Sequence, residues 1–570
     1  MTSLSFSELN NLSRSIALKN WQTGNRFWLA VIFLILIQEK LTAQYLYFPV
    51  SNEYRTLLER QSLLSPDKKV HPAIHPIARG EFGGGDANTP FLFFNAERTN
   101  PQKGSHSWWR RKLFEEHLVT ISGDDYQVNL DPWLNTEMGV DPGISDRSPF
   151  TFMSSRGIWI EGRIGKKVTF YSGFSENLGA FPDALTQYFD STGFVLGSGN
   201  YQNQRGESNI DFPIAVGAVS FQPSNHFNIS LGQGKHFFGE GYRSMLLSDY
   251  ALPYPFLKIE TKLGSLSYTN LWAVHADPRA SVRTPGRLYR QKYTSIHYLS
   301  WNATDKWNIS LFESMVWGGD SVNPNAGFYV HFLNPVVFWR PVEKLVGITG
   351  GNAMIGLASS FVLGSGMKVY GQFVIDDFQL EALKQIGEGH WLNFYSWQLG
   401  WKKYQKLGER THLSMRFEYN GARPFMYAHR TPSTNYTHLM YPLAHPWGSN
   451  FQEFLFQFQF QKERWVYDLQ LNYGFRGQDI DSSNYGNDLF RSIFDRDGDL
   501  GYGLGERRKE FVFYAHAQVG FILNRSTGMR FEAGMRIRNS YALEEKSLEN
   551  RSYWLFTGFR MPLFNRYFDI

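Results

Sequence analysis

Residues 454–473 alternate between two chemical characters, and this alternation limits the fold more than any other feature of the chain. In the first half, Phe stands at every second position and the positions between are mostly Gln. After a polar stretch at 462–464, a second run alternates aromatic residues or Leu with Val, Asp, Gln and Asn. Because successive side chains of a β-strand point to opposite faces, the segment predicts a hairpin with one apolar and one polar face.

The same pattern recurs at 413–420, 511–521, 529–538 and 553–561. Each run is about 9–11 residues long, which is the length of a tilted β-strand that crosses a bilayer. A soluble β-sandwich also alternates, but its connections are short at both ends. Here the turns near 462 and 524 are short, whereas the connections expected at 474–509 and 539–552 are long and polar.

Short turns at one end and long loops at the other are typical of outer-membrane barrels. We therefore expect an all-β fold, a transmembrane antiparallel outer-membrane β-barrel of about 16 to 18 strands with a few short helices at its mouth.

This fold accounts for an unusual amino-acid composition. The 570 residues include 48 Phe, 30 Tyr and 17 Trp, yet the mean hydropathy is −0.36. The aromatic residues occupy one face of the strands, and polar residues occupy the other face and the loops.

The chain has no cysteine. This excludes a disulfide framework, a thiolate metal site, a cysteine nucleophile and a lipid-modified N-terminal cysteine. Any metal ion has to be held by His, Asp, Glu or carbonyl oxygens.

An unbroken apolar run at 27–37 follows the basic residues Arg14, Lys19 and Arg26. A run of about 11 residues is too short to span a bilayer as a helix, which takes roughly 20. It predicts a signal peptide at 1–43, cleaved after Ala43, with a single-pass anchor as the alternative.

The formal net charge is +5, and loss of the four basic and two acidic residues of 1–43 leaves the mature chain near neutral. There is thus no electrostatic case for nucleic acid as a partner.

Residues 44–105 contain several Pro and a Gly cluster and are interpreted as an irregular periplasmic or lumen-facing segment, with the barrel at 106–570. Amphipathic spacing predicts short helices at 107–119 and 182–191, both at the mouth of the barrel.

Four arginines fall on the polar faces of the predicted strands and are the candidate ligand-binding residues: Arg416, Arg530, Arg536 and Arg538. A basic lumen favours anionic solutes or acidic polysaccharide. The alternative is that these side chains pair with Glu418, Asp468 and Glu532 and fill the barrel interior.

A candidate calcium loop places Asp495, Asp497, Asp499 and Glu506 at relative positions 1, 3, 5 and 12. Leu500 stands at the sixth position, where such a loop needs Gly for its sharp turn. The alternative is an acidic external loop, and calcium is the one cofactor that the sequence suggests. The sequence assembles no glycosidase dyad and no serine triad.

Several segments resemble the Wzi-type capsule-assembly outer-membrane protein family. They are 334–341 (NPVVFWRP), 239–249 (GEGYRSMLLSD), 370–373 (YGQF) and 376–378 (DDF). Others more closely resemble its gliding-motility relatives of RemB type, namely 156–157, 174–177, 442–451 (PLAHPWGSNF) and 485–487. The resemblance runs over roughly 110–570. It implies an outer-membrane barrel without enzymatic chemistry, associated with surface polysaccharide or with surface motility.

These features together predict a non-enzymatic barrel in the outer membrane of a Gram-negative bacterium, which binds or organises surface polysaccharide. Support of gliding motility is a further role that the resemblance allows. The expected partners are outer-membrane lipid, surface polysaccharide and motility or secretion proteins. The alternative function is a solute porin or export channel, which requires an open lumen.

Overall fold

The structure is a computed structural model that describes residues 47, 49–64, 70–77, 107–144, 148–197, 199, 209–279, 289–318, 327–335, 351–364, 366–376, 388–479, 482–524, 526–542 and 545–570. The predicted signal peptide at 1–43 lies outside these residues and stays a prediction. Within the described part of the chain, no helix is long and apolar enough to cross a membrane.

Eighteen antiparallel strands close into a barrel, which confirms the predicted fold class. They are β3 Tyr126–Val140, β4 Phe150–Ile164, β5 Val168–Ala180, β6 Ile210–Ser224, β7 Phe227–Gly234, β9 Tyr254–Leu263, β10 Leu266–Asp277, β11 Arg290–Asn302, β12 Trp307–Gly318, β13 Asn352–Gly364, β14 Met367–Ile375, β15 Tyr395–Gly408, β16 Thr411–Ala422, β19 Phe451–Lys462, β20 Trp465–Gly477, β21 Lys509–Ile522, β22 Arg530–Ala542 and β23 Glu545–Arg560.

Short two-residue and four-residue strands complete the sheet structure, and the described residues also include three α-helices. The strands are β1 Ile74–His75, β2 Val119–Ser122, β8 Phe237–Phe238, β17 Thr437–His438 and β18 Tyr441–Pro442; the helices are α1 Asn52–Leu64, α2 Trp108–Phe114 and α3 Asp183–Thr192. β1 pairs with β8, and β17 with β18, apart from the barrel wall.

The barrel closes where β23 meets β3, and a third strand shares this seam. β23 pairs with β3 only from Thr136 to Val140. β2 pairs with the same strand farther along, from Gln127 to Leu130. β2 therefore continues the wall along β3 beyond the end of β23.

The faces of the strands follow the alternation in the sequence. Opposite Phe454 on β19 lies Tyr473 on β20, and both side chains are about half exposed on the outer surface. Their neighbours Leu455 and Asn472 are buried on the inside. An apolar outer band with a polar inner face is the arrangement that lipid outside and a polar interior require.

The connections differ between the two ends of the barrel, as expected. At one end, hereafter the short-turn end, hairpin turns such as the one between Lys462 and Trp465 take two residues. At the other, the long-loop end, connections such as those between β16 and β19 and between β20 and β21 are long.

One expectation about these connections was wrong. The polar stretch at 539–552 was expected to be a long loop, but Asn539 pairs with Arg551 and Ala542 with Glu545. Strands β22 and β23 extend through these polar residues.

The sequence interpretation of 44–105 was an irregular periplasmic or lumen-facing segment, and helix α1 differs from it in being regular. It lies in the lumen, where the polar wall supplies the partners that a charged helix needs. Helix α3 lies where the spacing predicted it, and α2 is shorter than predicted because β2 begins at Val119.

Candidate functional site: a polar cavity at the mouth of an occupied lumen

Helix α1 occupies the lumen in the half nearer the short-turn end, and ion pairs with the wall hold it there. Glu53 Oε1 lies 2.6 Å from Arg530 Nη2 and 2.8 Å from Arg560 Nη1. Glu59 Oε2 lies 2.7 Å from Arg416 Nη2. Burial alone would raise the pKa of both carboxyls, but the paired arginines lower it overall. Both glutamates are thus charged and bound to the wall at neutral pH.

The segment 235–253, which connects β7 to β9, folds inward from the long-loop end. Glu240 Oε1 lies 2.9 Å from Lys368 Nζ, and Glu240 Oε2 lies 2.6 Å from Lys402 Nζ. Although burial raises the pKa of Glu240, the two lysines hold it well below its usual range. Arg243 Nη2 lies 2.9 Å from Glu453 Oε1 on the wall. Side chains of strands β14, β15 and β19 therefore fix this segment.

Residues 561–570 follow β23 and turn into the lumen, where they contact segment 235–253. Asp569 Oδ2 lies 2.9 Å from Arg243 Nη2. The Tyr567 hydroxyl donates to Asp249 Oδ1 at 2.5 Å, and the Asn565 amide donates to Asp249 Oδ2 at 2.8 Å. Two segments more than 300 residues apart in sequence thereby meet in the lumen.

The connection 423–450, between β16 and β19, packs against segment 235–253 in the half nearer the long-loop end. The Tyr427 hydroxyl donates to the Met245 carbonyl at 2.8 Å, and the Tyr436 hydroxyl donates to the Leu246 carbonyl at 2.8 Å. Met245 and Leu246 are completely buried, as is Leu443. A hydrophobic core thus lies inside the barrel, and the lumen is occupied by protein in both halves.

A cavity of about 330 Å³ lies among the long-loop ends of β20 to β23, helix α3 and segment 561–570. We call it the mouth cavity, and it is lined by residues that include Gln187, Tyr188, Arg476, Arg508, Glu510 and Arg538. Its size is within the range of about 300–1,000 Å³ for ligand pockets. Gln187 is exposed on α3, so the cavity borders the protein surface.

Hydrogen bonds fix the polar side chains of the mouth cavity. Arg476 Nε and Gln478 Nε2 each donate to Glu510 Oε2 at 2.6 Å. Arg538 Nε donates to the Ile570 carbonyl oxygen at 2.9 Å. These groups are ordered before any ligand arrives, which lowers the entropic cost of binding.

The chemistry of the mouth cavity suits a polyhydroxylated ligand. Guanidinium and amide groups donate hydrogen bonds, carboxylate and amide oxygens accept them, and sugar hydroxyls do both. The ring of Tyr188 adds an apolar surface. Three arginines and one glutamate line the cavity, so its side chains carry an excess of positive charge.

The structure distributes the four predicted arginines rather than bringing them to one site. Arg538 lines the mouth cavity, and Arg416 lines a separate cavity of about 150 Å³ beside α1. Arg536 lies 2.6 Å from Glu137, and Arg530 pairs with Glu53 and Glu532. Arg416, Arg530 and Arg536 thus form ion pairs in the interior, and Glu418 and Glu532 of the expected acids are among their partners. Arg538 instead donates to the Ile570 carbonyl and to Ser540.

The four carboxylates of the candidate calcium loop lie in the connection between β20 and β21. Asp499 Oδ1 lies 2.7 Å from Arg496 Nη2, and the hydrogen bond from Arg496 lowers the pKa of Asp499. Asp495, Asp497 and Glu506 do not join it as a ligand set. Across the described part of the chain, no group of three or more His, Asp or Glu side chains could hold a metal ion.

No protein-family model matches the sequence, and no curated protein matches it. Among solved structures, the chain is similar to Wzi of Escherichia coli, described as an outer-membrane protein involved in group 1 capsule assembly and a carbohydrate-binding β-barrel. The overlap covers 90% of this chain and 99% of Wzi, with a TM-score of 0.54 and 12% sequence identity. Two other barrels overlap less well. Pseudomonas aeruginosa OprD overlaps with a TM-score of 0.39 and 9% identity, over 79% of this chain and 97% of OprD. Acinetobacter baumannii OccAB2 overlaps with a TM-score of 0.40 and 9% identity, over 76% of this chain and 98% of OccAB2. The similarity to Wzi establishes an outer-membrane barrel fold shared along nearly the whole of both chains.

Proposed function

We propose that this protein is a non-enzymatic barrel of the Gram-negative outer membrane that binds surface polysaccharide at the mouth cavity. The observation that carries the proposal is a pre-ordered cavity at the long-loop end, the end that faces the cell exterior in outer-membrane barrels. Its lining supplies hydrogen-bond donors, acceptors and an aromatic ring. The fold shared with carbohydrate-binding Wzi supports the same conclusion.

The excess of arginine in the mouth cavity favours a saccharide that carries carboxylate groups. Guanidinium groups form strong, charge-assisted hydrogen bonds with carboxylates. Arg476, Arg508 and Arg538 outnumber the one acidic side chain of the lining, Glu510, so the side chains of the cavity carry a net positive charge. We therefore expect hexuronate-containing chains to bind more tightly than neutral ones.

The alternative function, a solute porin or export channel, receives less support. A porin needs a water-filled passage. In this barrel α1, segments 235–253 and 561–570 and connection 423–450 lie across the lumen and bind to the wall. Support of gliding motility, and motility or secretion proteins as partners, stay predictions from the sequence resemblance.

Binding can be tested with purified protein in nanodiscs, with oligogalacturonate as the acidic probe and a malto-oligosaccharide of equal length as the neutral probe. Gln187→Trp places a large ring at the exposed side of the mouth cavity. We expect it to weaken oligogalacturonate binding about tenfold or more, which is at least roughly 1.4 kcal/mol.

The matched control is Ser191→Trp, which adds the same ring to an exposed position of the same helix outside the cavity lining. It should bind as the wild type does. Equal weakening by both variants, or no binding of either probe by the wild type, would contradict the proposal.

A further inference from the structure

Helix α2 differs from the other two α-helices of the described residues because none of its residues is buried. Trp108, Trp109 and Leu113 are exposed by 49%, 68% and 51%. The two Trp rings contact each other with their centroids 4.5 Å apart. In contrast, α3 buries Leu185 and Phe189. Helix α2 thus presents its large apolar side chains to whatever surrounds the barrel.

The position of α2 is fixed by the turn between β21 and β22, at the short-turn end. The Asn524 side-chain amide donates to the carbonyl oxygens of Lys112, Leu113 and Glu116 at 3.1–3.3 Å. The Ser526 hydroxyl donates to the Glu115 carbonyl at 2.6 Å. Helix α2 is therefore tied to the edge of the membrane-spanning wall.

The strand that follows α2 continues the same apolar surface into the wall. Val119 and Ile121 of β2 are exposed by 40% and 55%, on a strand that pairs with β3. His117 Nδ1 and Asp131 Oδ2 lie 2.5 Å apart, and the Leu118 amide donates to Asp131 Oδ1 at 2.9 Å. Helix α2 thus leads within five residues into a strand whose Val119 and Ile121 lie opposite Leu130 and Val128 of β3 on the outer surface of the barrel.

Helix α2 also carries a cluster of positive charge. Arg110 is exposed, while Arg111 and Lys112 share the single carboxylate of Glu116 at 3.6 Å and 3.1 Å. With Glu115, which directly follows the helix, residues 108–116 hold three basic and two acidic side chains and carry a net charge of +1. Trp beside basic residues is the composition that binds the boundary between lipid headgroups and acyl chains, with a preference for anionic headgroups.

We infer that helix α2 and strand β2 form a lipid-binding edge that inserts Trp108, Trp109 and Leu113 into the membrane interface at the short-turn end and binds anionic phospholipid headgroups through Arg110. β2 pairs with Gln127–Leu130, part of the stretch of β3 that β23 leaves unpaired at the barrel seam. Lipid bound to α2 holds β2 against β3 there. This edge is independent of the saccharide site, which lies at the opposite end of the barrel.

Because the chain has no cysteine, a single introduced cysteine can carry a spin label at a known position. We compare the full-length variant Trp109→Cys with Leu231→Cys on the outer face of β7 and with Asp305→Cys in the exposed turn between β11 and β12. All three are reconstituted in nanodiscs, and collisions of the label with oxygen and with a water-soluble nickel chelate are measured. Trp108→Cys repeats the test if Trp109→Cys does not fold, as judged by heat-dependent gel mobility.

The label at Trp109 should lose nickel accessibility relative to the Asp305 label and approach the oxygen accessibility of the Leu231 label. The loss should be larger with phosphatidylglycerol present than in phosphatidylcholine alone, and an added Arg110→Gln change should remove that difference. Nickel accessibility equal to that of the Asp305 label in both lipids would overturn the inference. An unchanged response to phosphatidylglycerol in Arg110→Gln would overturn the role of Arg110.

Discussion

Buried histidines connect the packing inside the lumen to pH. His438 of β17 is 5% exposed, and its Nδ1 accepts a hydrogen bond from the Ala276 amide at 3.2 Å. This bond requires a neutral ring with a lone pair on Nδ1. Burial lowers the pKa of His438 to about 3, and the nearby Lys292 lowers it as well. The folded protein therefore excludes a proton that the unfolded chain accepts.

The sign of the resulting pH dependence follows from proton binding. The pKa of an unfolded histidine is about 6.5, so below that pH the unfolded chain binds one proton more and the free energy of unfolding falls. Glutamine can accept the same hydrogen bond but does not titrate. Between pH 6 and pH 4 we expect the wild type to lose about 1.4 kcal/mol per pH unit relative to His438→Gln, measured by urea unfolding from lipid vesicles.

The control for this prediction is His226→Gln, in the exposed turn between β6 and β7. Its free energy of unfolding should run parallel to that of the wild type over the same pH range. If the curve of His438→Gln also runs parallel to that of the wild type, the His438 ring is not held neutral in the folded protein.

The residues that anchor the lumen segments could not be predicted from the sequence. Arg243 and Asp569 are 326 positions apart, and Glu59 and Arg416 are 357 apart. Periodicity identifies which face of a strand a residue occupies, but it carries no information on which distant segment covers that face. The sequence therefore predicted the polar faces of Arg416 and Arg530 but not their partners on α1.

Local turn chemistry controls the hairpins at the short-turn end, and one turn carries strain. Glu463, in the two-residue turn between β19 and β20, has a φ of 54°. A side chain in this left-handed region costs roughly 1–2 kcal/mol, whereas glycine adopts it freely. We expect Glu463→Gly to raise the free energy of unfolding by about 1 kcal/mol, measured by the same urea titration.

The corresponding turn between β15 and β16 provides the control, because Glu409 does not have a positive φ. Glu409→Gly should leave the free energy of unfolding unchanged or lower it, since glycine there only adds freedom to the unfolded chain. Stabilisation by both substitutions would indicate an effect of charge rather than of backbone strain.

Elements that the periodicity of their own residues identifies were predicted well, and elements stabilised by residues distant in sequence were not. The β19–β20 hairpin and α3 lie where periodicity placed them. Polar composition at 539–552 suggested a loop, but strands that extend past the membrane can be polar on both faces. Helix α1 has a weak apolar stripe, and it was missed because its stability comes from ion pairs such as Glu53 with Arg530.

The barrel as a whole is occupied by two layers of protein that bind the wall and also contact each other. Lys402 pairs with both Glu59 of α1 and Glu240 of segment 235–253, and Arg55 donates to the Gly241 carbonyl. Helix α1 binds Arg416, Arg530 and Arg560 in the half nearer the short-turn end. Segment 235–253 and connection 423–450 pack together in the other half. An 18-stranded barrel with an empty interior would conduct ions as porins of 16 to 18 strands do. Two layers of filling should each block that current.

We therefore expect no steady open-state current from the full-length protein in planar bilayers. Deletion of 49–64 removes α1 and exposes Arg416 and Arg530 to water, but the second layer keeps its own contacts, such as Arg243 with Glu453. The deletion variant should therefore stay closed as well, provided that heat-dependent gel mobility shows it to be folded. A steady current in the wild type would restore the channel as a candidate function. A current only after the deletion would show that α1 alone closes the barrel and that the long-loop half is permeable.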